Sequence, residues 1–340
     1  RYPVRFAFPD GTFPSPNDGW PNRSFHNYAH QYEWIRHVSD EPAFRYALMK
    51  AYAFPENDNA PAGGISRLLF GKDWAAEWER LPAAEREAGR TPDAAQHDPD
   101  IHYAMLRSRN ACVFFKYGFV IREHSHADVM NFELFAYGDY LSRDISNAGY
   151  GTDLFRNWQR RSIAHNTMMV DGQTQPNRPR GRVLKYDPDA NRIVAAAADV
   201  YPGIDYKRSL QLADDELLDV FQAKESLGDR YIESHTFDWF FHASGELAHD
   251  LPAVPAERPG DSEGYQMMED VVRAETDGDV VLRWTYRGKR LTLTVKGAPG
   301  TEVYLFRGRE HAEDLLRWGV MLRRRGRSAV FEASYRFERL

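Results

Sequence analysis

The chain has 340 residues, 42% hydrophobic and 28% charged, which excludes a disordered segment and leaves room for two domains with a core each. A net charge of -6 and a pI of about 6.1 exclude a general pull toward nucleic acid; an acidic ligand must meet a local basic site, for which Arg156, Arg160, Arg161, Arg178, Arg180 and Arg182 are available. No run approaches the ~20 consecutive apolar residues of a membrane span, so no membrane partner is expected.

In chain order, Phe8-Pro-Asp-Gly-Thr-Phe-Pro-Ser-Pro-Asn-Asp-Gly19 is dense in turn formers and is expected to be a loop. A helix should follow from Ser24 as N-cap, with Phe25, Tyr28, Tyr32 and Ile35 on one face and His26, His30, Glu33 and His37 on another. Ser39-Asp-Glu-Pro42 is a second start signal, with Phe44, Leu48 and Tyr52 continuing inward, so the two helices form a hairpin. Residues 55 to 66 are turn-rich, 68 to 80 suit short helix, and 81 to 100 have the composition of a surface linker. Arg1-Tyr-Pro-Val offers neither an initiator Met nor a signal-peptide core, and the chain is expected to begin within a longer protein.

Beyond residue 100 the periodicity becomes two. Strands are predicted at 110–117, 130–137, 166–170, 193–198, 217–223, 232–241, 280–286, 291–295, 303–306, 319–324 and 329–335, with turn signals between them. That pattern predicts an antiparallel, sandwich-like domain. Cys112, the one cysteine, falls in the apolar run Ala111-Cys-Val-Phe-Phe115 and is expected to be a buried thiol. Arg323-Arg-Arg-Gly-Arg327 suits a solvated turn.

Three stretches carry chemistry: Arg122-Glu-His-Ser-His-Ala-Asp128, Arg143-Asp-Ile-Ser146 and Ala164-His-Asn-Thr-Met-Met-Val-Asp-Gly172. If the flanking segments are strands, His124 and His126 share one face while Ser125 points away. Imidazoles and a carboxylate are ordinary zinc donors, and three such ligands plus water complete a four-coordinate shell. The residue types alone equally allow a polar strand pair and a half-buried histidine bonded to backbone.

The run from Leu106-Arg-Ser to Gly172 contains Tyr117-Gly118, His124-Ser-His-Ala-Asp128, Phe132-Glu-Leu-Phe-Ala-Tyr-Gly138, Gly149-Tyr-Gly151, His165-Asn-Thr and Val170-Asp-Gly172. It resembles the heparinase II/III-like polysaccharide lyases. The resemblance implies an α+β chain: residues 1–100 as the closing helices of an incomplete α/α toroid plus a linker, and residues 101–340 as an antiparallel β-sandwich. Earlier toroid helices would lie on another chain segment, and a periplasmic or secreted setting is implied. Such lyases act where toroid and sandwich meet, cleaving acidic polysaccharides by β-elimination.

The same resemblance assigns residues. Arg23-Ser-Phe-His-Asn-Tyr28 looks like the family's stretch before its toroid tyrosine, with one extra residue, so Tyr28 is taken as catalytic and Tyr32 is the alternative. Arg23, His26 and His30 are near in sequence and could ease formation of a phenolate. His124 matches the active-site histidine, and His126, Asp144 and His165 match the ligands of a structural zinc that would pin three segments. Asp128 would brace the histidine loop. Arg161 is assigned a carboxylate contact, with a surface salt bridge as the alternative. His235 and His242, bracketing Phe237-Asp-Trp-Phe-Phe241, are expected to serve strand packing. No match is found for the toroid Asn or His that neutralises the substrate carboxylate.

The expected substrate is an acidic oligo- or polysaccharide containing uronate, with oligoalginate favoured and heparin or heparan-type glycans second. Two other functions fit the residues: a zinc-dependent hydrolase whose metal-bound water attacks, and a non-catalytic carbohydrate-binding sandwich.

Overall fold

The computed structural model describes residues 2–53, 65–119, 124–145, 147–226, 234–310 and 315–340. Arg122, Ser146, Ile232 and most of the turn-rich stretch 55–66 lie outside the described residues. The chain divides into two compact units: Arg1–Pro14 with Trp20–Asp93, and Ser15–Gly19 with Ala94–Leu340. Residues 15–19, early in sequence, thus belong to the second unit.

The first unit is helical: α1 (Tyr2–Phe6), α2 (Ala29–Val38), α3 (Pro42–Ala53), α4 (Ile65–Phe70), α5 (Trp74–Glu79) and α6 (Ala83–Gly89). Ser24 opens the region ahead of α2, its backbone N–H donating to Asn27 Oδ1 at 2.9 Å. The next four residues, Phe25–Tyr28, form a 3-10 turn. That turn has three residues per revolution instead of 3.6, and it rotates the face expected from simple helical spacing. Phe25, Ala29 and Tyr32 are buried, but Ile35 is 38% exposed, while Glu33 is buried and accepts a hydrogen bond from the Tyr52 hydroxyl. The stretch expected to be a linker instead contains α6. Its last residue, Gly89, lies so close to Pro42 that a Cβ there would stand 2.7 Å from the Pro42 carbonyl carbon, which accounts for glycine.

The second unit is built from nineteen antiparallel strands among the described residues. A five-stranded sheet runs in sequence order: β1 (Gln96–Asp98), β2 (Tyr103–Arg107), β3 (Ala111–Lys116), β4 (Asn131–Ala136), β5 (Asp139–Ser142). Next in the chain come β6 (Met168–Val170), β7 (Arg182–Asp187), β8 (Arg192–Tyr201), β9 (Ile204–Leu212), β10 (Glu216–Glu225), β11 (His235–Ala243), β12 (Glu246–His249) and β13 (Val254–Pro255). The last are β14 (Glu269–Thr276), β15 (Val280–Tyr286), β16 (Lys289–Val295), β17 (Thr301–Arg309), β18 (Leu316–Gly326) and β19 (Ser328–Arg339). They form an eight-stranded sheet, β12-β15-β16-β19-β10-β9-β8-β7, and a six-stranded sheet, β13-β14-β17-β18-β11-β6.

Strand β11 shows why the sheets stack. Alternate residues Phe237, Trp239 and Phe241 enter the main core, where Phe241 meets Tyr335 at 4.8 Å and Trp284 at 5.7 Å, and Trp239 stacks on Phe331. Phe240, on the opposite face, joins a second core with Trp158, Ile163, Phe306 and Met321. Buried on both faces, β11 is apolar along Trp239–Phe241, and its buried polar side chains, Asp238 and His242, each have a hydrogen-bond partner. The basic cluster near residue 325 is not solvated throughout: Arg323 forms a two-pronged pair with buried Asp238 at 2.7 and 2.8 Å, and Arg324 lies over Phe331.

Candidate functional site

The loop carrying His124 to Met130 joins β3 to β4 and is not a strand, contrary to the expectation that alternation sets its side chains. Its backbone groups are claimed by neighbouring loops: Ala127 N–H donates to the Arg160 carbonyl at 3.1 Å, the Ser162 hydroxyl donates to the Ala127 carbonyl at 2.6 Å, and Val129 N–H donates to Gln175 Oε1 at 2.9 Å. His124 and Met130 both take left-handed backbone, φ 59° and 65°. The two histidines therefore part company. The His124 side chain is 63% exposed and that of His126 is fully buried.

One carboxylate nevertheless serves both rings. Asp18 Oδ2 is 2.9 Å from His124 Nδ1, and Asp18 Oδ1 is 3.1 Å from His126 Nε2. The Tyr150 hydroxyl donates to Asp18 Oδ2 at 2.9 Å and lies 2.6 Å from His124 Nδ1. Burial alone would raise the Asp18 carboxyl, but the hydrogen bonds from His126, Tyr150 and His124 outweigh it and hold it below its ordinary range.

Beneath His126 lies a buried polar cluster. Donor atoms of Asp128, Asp144 and His165 all fall within 4.8 Å of one another. Asp144 Oδ1 accepts from His165 Nδ1 at 2.6 Å and from Ile145 N–H at 2.9 Å, and His165 Nε2 is 2.9 Å from the Gln159 carbonyl. The rings of His126 and His165 are 5.2 Å apart. Asp128 pairs with Lys116 at 2.5 Å, both buried, and Lys116 also reaches the Asn17 side chain. Burial lowers the imidazole of His126. It would lower that of His165 too, but the Asp144 charge reverses the sign. Buried Glu133 accepts from Ser15 N–H at 2.7 Å, and burial, aided by the Asp144 charge, pushes its carboxyl up to about 8.

This cluster fits a divalent ion that would replace the proton now lying between His165 Nδ1 and Asp144 Oδ1, since His165 Nε2 faces a carbonyl. Among the described residues, two buried atoms that could ligate it, His126 Nδ1 and Asp128 Oδ2, have no hydrogen-bond partner, an arrangement that normally costs about 1–3 kcal/mol per group. Mixed imidazole and carboxylate donors suit zinc. The structure thus brings Asp144 and His165 together, places the His126 ring beside them, and adds Asp128 to the closest trio.

The remaining assigned residues are placed as follows. Arg161 Nη1 pairs with Glu263 Oε2 at 2.9 Å and its Nε donates to the Arg156 carbonyl at 3.0 Å, so the guanidinium already holds one carboxylate. Tyr28 ends the 3-10 turn of the helical unit, 39% exposed, its ring 5.9 Å from that of Phe13. Tyr32 is buried, and desolvation raises its phenol further above the usual value. His26 is buried against the Ala51 carbonyl, while His30 is exposed. His242 is fully buried in β11 with Nε2 2.8 Å from the Ile163 carbonyl, a packing role.

A family model described as heparinase II/III-like, C-terminal, matches residues 90–334. The chain belongs to the heparinase II/III-like family. An alginate lyase of Stenotrophomonas maltophilia is 25% identical over 173 residues, which are 42% of this chain and 22% of that protein. A solved heparinase III has a TM-score of 0.67 at 15% identity, and the heparan sulfate lyase HepC of Pedobacter heparinus 0.65 at 16%; each match covers 99% of this chain. This chain spans 45% of the length of those two structures.

Within this heparinase II/III-like chain, the residues that sequence reading passed over are Asp18, Tyr150, Lys116 and Glu133. Asp18 sits in a Pro-Asn-Asp-Gly turn stretch and meets its partners from 106 and 108 positions away. No local spacing could announce it. Tyr150 was visible within Gly149-Tyr-Gly151, but only as a motif without a role.

Proposed function

We propose that this chain is part of a polysaccharide lyase that cleaves uronate-containing acidic glycans by β-elimination, with oligoalginate favoured over heparin-type substrates. The observation that carries the reading is His124: an exposed imidazole held in left-handed backbone, its ring fixed by a carboxylate and a tyrosine hydroxyl, and tied through that carboxylate to buried His126. Elimination needs a group that takes the C5 proton of the uronate and one that delivers a proton to O4 as the C4–O4 bond breaks and the C4–C5 double bond forms. Tyr28 is assigned the proton transfer, and its exposure, beside a buried Tyr32, supports that choice within the helical unit. His124 is assigned to stabilise the charge that develops on the substrate. Arg161 is assigned to the substrate carboxylate, which would have to compete with Glu263.

His126, Asp144 and His165, with Asp128 near at hand, would hold a zinc ion whose chemistry is structural, supplying positive charge and cross-linking the loops. The burial of Asp128, Asp144 and His165 supports this over a hydrolytic metal, because a catalytic ion needs an open coordination position for water. In the helical unit Trp34 and Leu69 are half exposed, and Val38 and Leu68 are 81% and 84% exposed. These side chains support the reading that further toroid helices pack there. A periplasmic or secreted setting rests on the family resemblance alone.

The test is a screen over alginate oligosaccharides, heparan sulfate, hyaluronate and rhamnogalacturonan-type glycans. Ultraviolet absorbance of an unsaturated uronate product is expected. New reducing ends without that absorbance would indicate hydrolysis, and binding without either would indicate a carbohydrate-binding module.

A further inference from the structure

We propose that Asp18 is a positioning residue that fixes the tautomers of His124 and His126 together, leaving Nε2 as the bare nitrogen of the exposed His124 and Nδ1 as the bare, buried nitrogen of His126. The inference rests on the lyase reading for what His124 does, but its geometry stands apart from that reading.

A carboxylate accepts hydrogen bonds and cannot donate them once ionised. Both oxygens of Asp18 are engaged, Oδ2 with His124 Nδ1 at 2.9 Å and Oδ1 with His126 Nε2 at 3.1 Å, so each of these nitrogens must carry the proton. Tyr150 reinforces the assignment. Its hydroxyl donates to Asp18 Oδ2, which leaves its oxygen, 2.6 Å from His124 Nδ1, as a second acceptor for the same ring N–H. In a neutral imidazole the other nitrogen then has a lone pair. For His126 that nitrogen is Nδ1, one of the buried atoms without a partner among the described residues, as a metal ligand requires. For His124 it is Nε2, on a side chain 63% exposed.

The backbone adds a third tie, since Asp18 N–H donates to the His124 carbonyl at 3.3 Å and helps hold the left-handed residue. One side chain thus links the exposed histidine assigned to the substrate to the buried histidine assigned to the ion. A carboxylate behind a metal-binding imidazole typically changes metal affinity 10–100-fold when removed. Asparagine is the informative replacement. It has the shape of aspartate but presents one acceptor and one donor, so it can satisfy only one of the two ring N–H groups.

The experiment uses the whole chain labelled with nitrogen-15, with His124→Ala and His126→Ala spectra assigning the ring signals. The expected wild-type result is an Nδ1–H tautomer for His124 and an Nε2–H tautomer for His126. In Asp18→Asn at least one ring should change tautomer, and zinc affinity, measured by titration against a competing chelator, should fall 10–100-fold. A far-UV spectrum unchanged from wild type would keep this distinct from misfolding. On a substrate that is turned over, kcat should fall with KM nearly unchanged. The opposite tautomer on either wild-type ring overturns the proposal, as does an Asp18→Asn protein with both tautomers and zinc affinity intact. Failure of every uronate glycan as substrate would sink the lyase reading and leave the tautomer result standing.

Discussion

Replacing His126 by alanine should lower stability by about 1–3 kcal/mol, because it leaves the Asp18 carboxylate short of a donor and removes one side of the buried cluster. Tyr28→Phe removes one hydroxyl from an exposed ring and should stay within roughly 0.5 kcal/mol of wild type. Thermal melts of the two variants side by side check the difference, and equal midpoints would argue against a structural ion. Turnover should rank them otherwise. If Tyr28 moves the proton, its loss should cut kcat by about 10²–10⁴-fold while leaving KM nearly unchanged, since the hydroxyl is needed only in the transition state. An active Tyr28→Phe enzyme would hand the role to another residue. At this scale the sequence made the histidines, Asp144 and Asp128 visible, because zinc chemistry uses few residue types. It could not make Asp18 or Lys116 visible, because their meaning comes from partners that only folding brings near.

Element by element, the aromatic and β-branched runs were legible, and β3, β4, β10, β11 and β15 to β19 lie where period-two patterning places them. Strands such as β9 were not. Its burial alternates along Ile204–Leu212, but one inward position is Arg208, a residue that hydrophobic patterning scores as a break. Arg208 is fully buried, bonded through two nitrogens to Asp219 at 2.9 and 2.6 Å, and through Nη1 to the Met130 and Asn166 carbonyls. It therefore ties the eight-stranded sheet to the end of the histidine loop. Arg208→Met should cost about 3–5 kcal/mol, since it strands a buried carboxylate, and Arg208→Met with Asp219→Leu should recover much of that loss. Urea unfolding of the single and double variants measures both. A double variant no better than the single would mean that the carbonyl contacts, not the charge pair, dominate. The hidden helix α6 was missed for a related reason: its Ala, Glu and Arg composition suits a solvated linker as well as a short helix.

For the whole molecule, removal of a bound ion should be felt in the β unit, where all the ligand candidates reside. Chelation should lower its melting temperature by several degrees, zinc should restore it, and His165→Ala should respond to neither treatment; a chelator-insensitive wild type would speak against any resident ion. The early stretch Ser15–Gly19 has a consequence in time as well as in space. Asp18 precedes His124 by 106 positions and Tyr150 by 132, so on a ribosome it waits roughly 5–20 s for its first partner at ordinary elongation rates. Contacts so distant along the chain are slow to close, and the sheets can form without them. Refolding from denaturant should therefore recover the far-UV strand signal first and the capacity to take up zinc in a later phase. In Asp18→Asn the zinc capacity recovered in that later phase should be smaller, because the histidines then lack the early carboxylate that orders them once the long loop has closed.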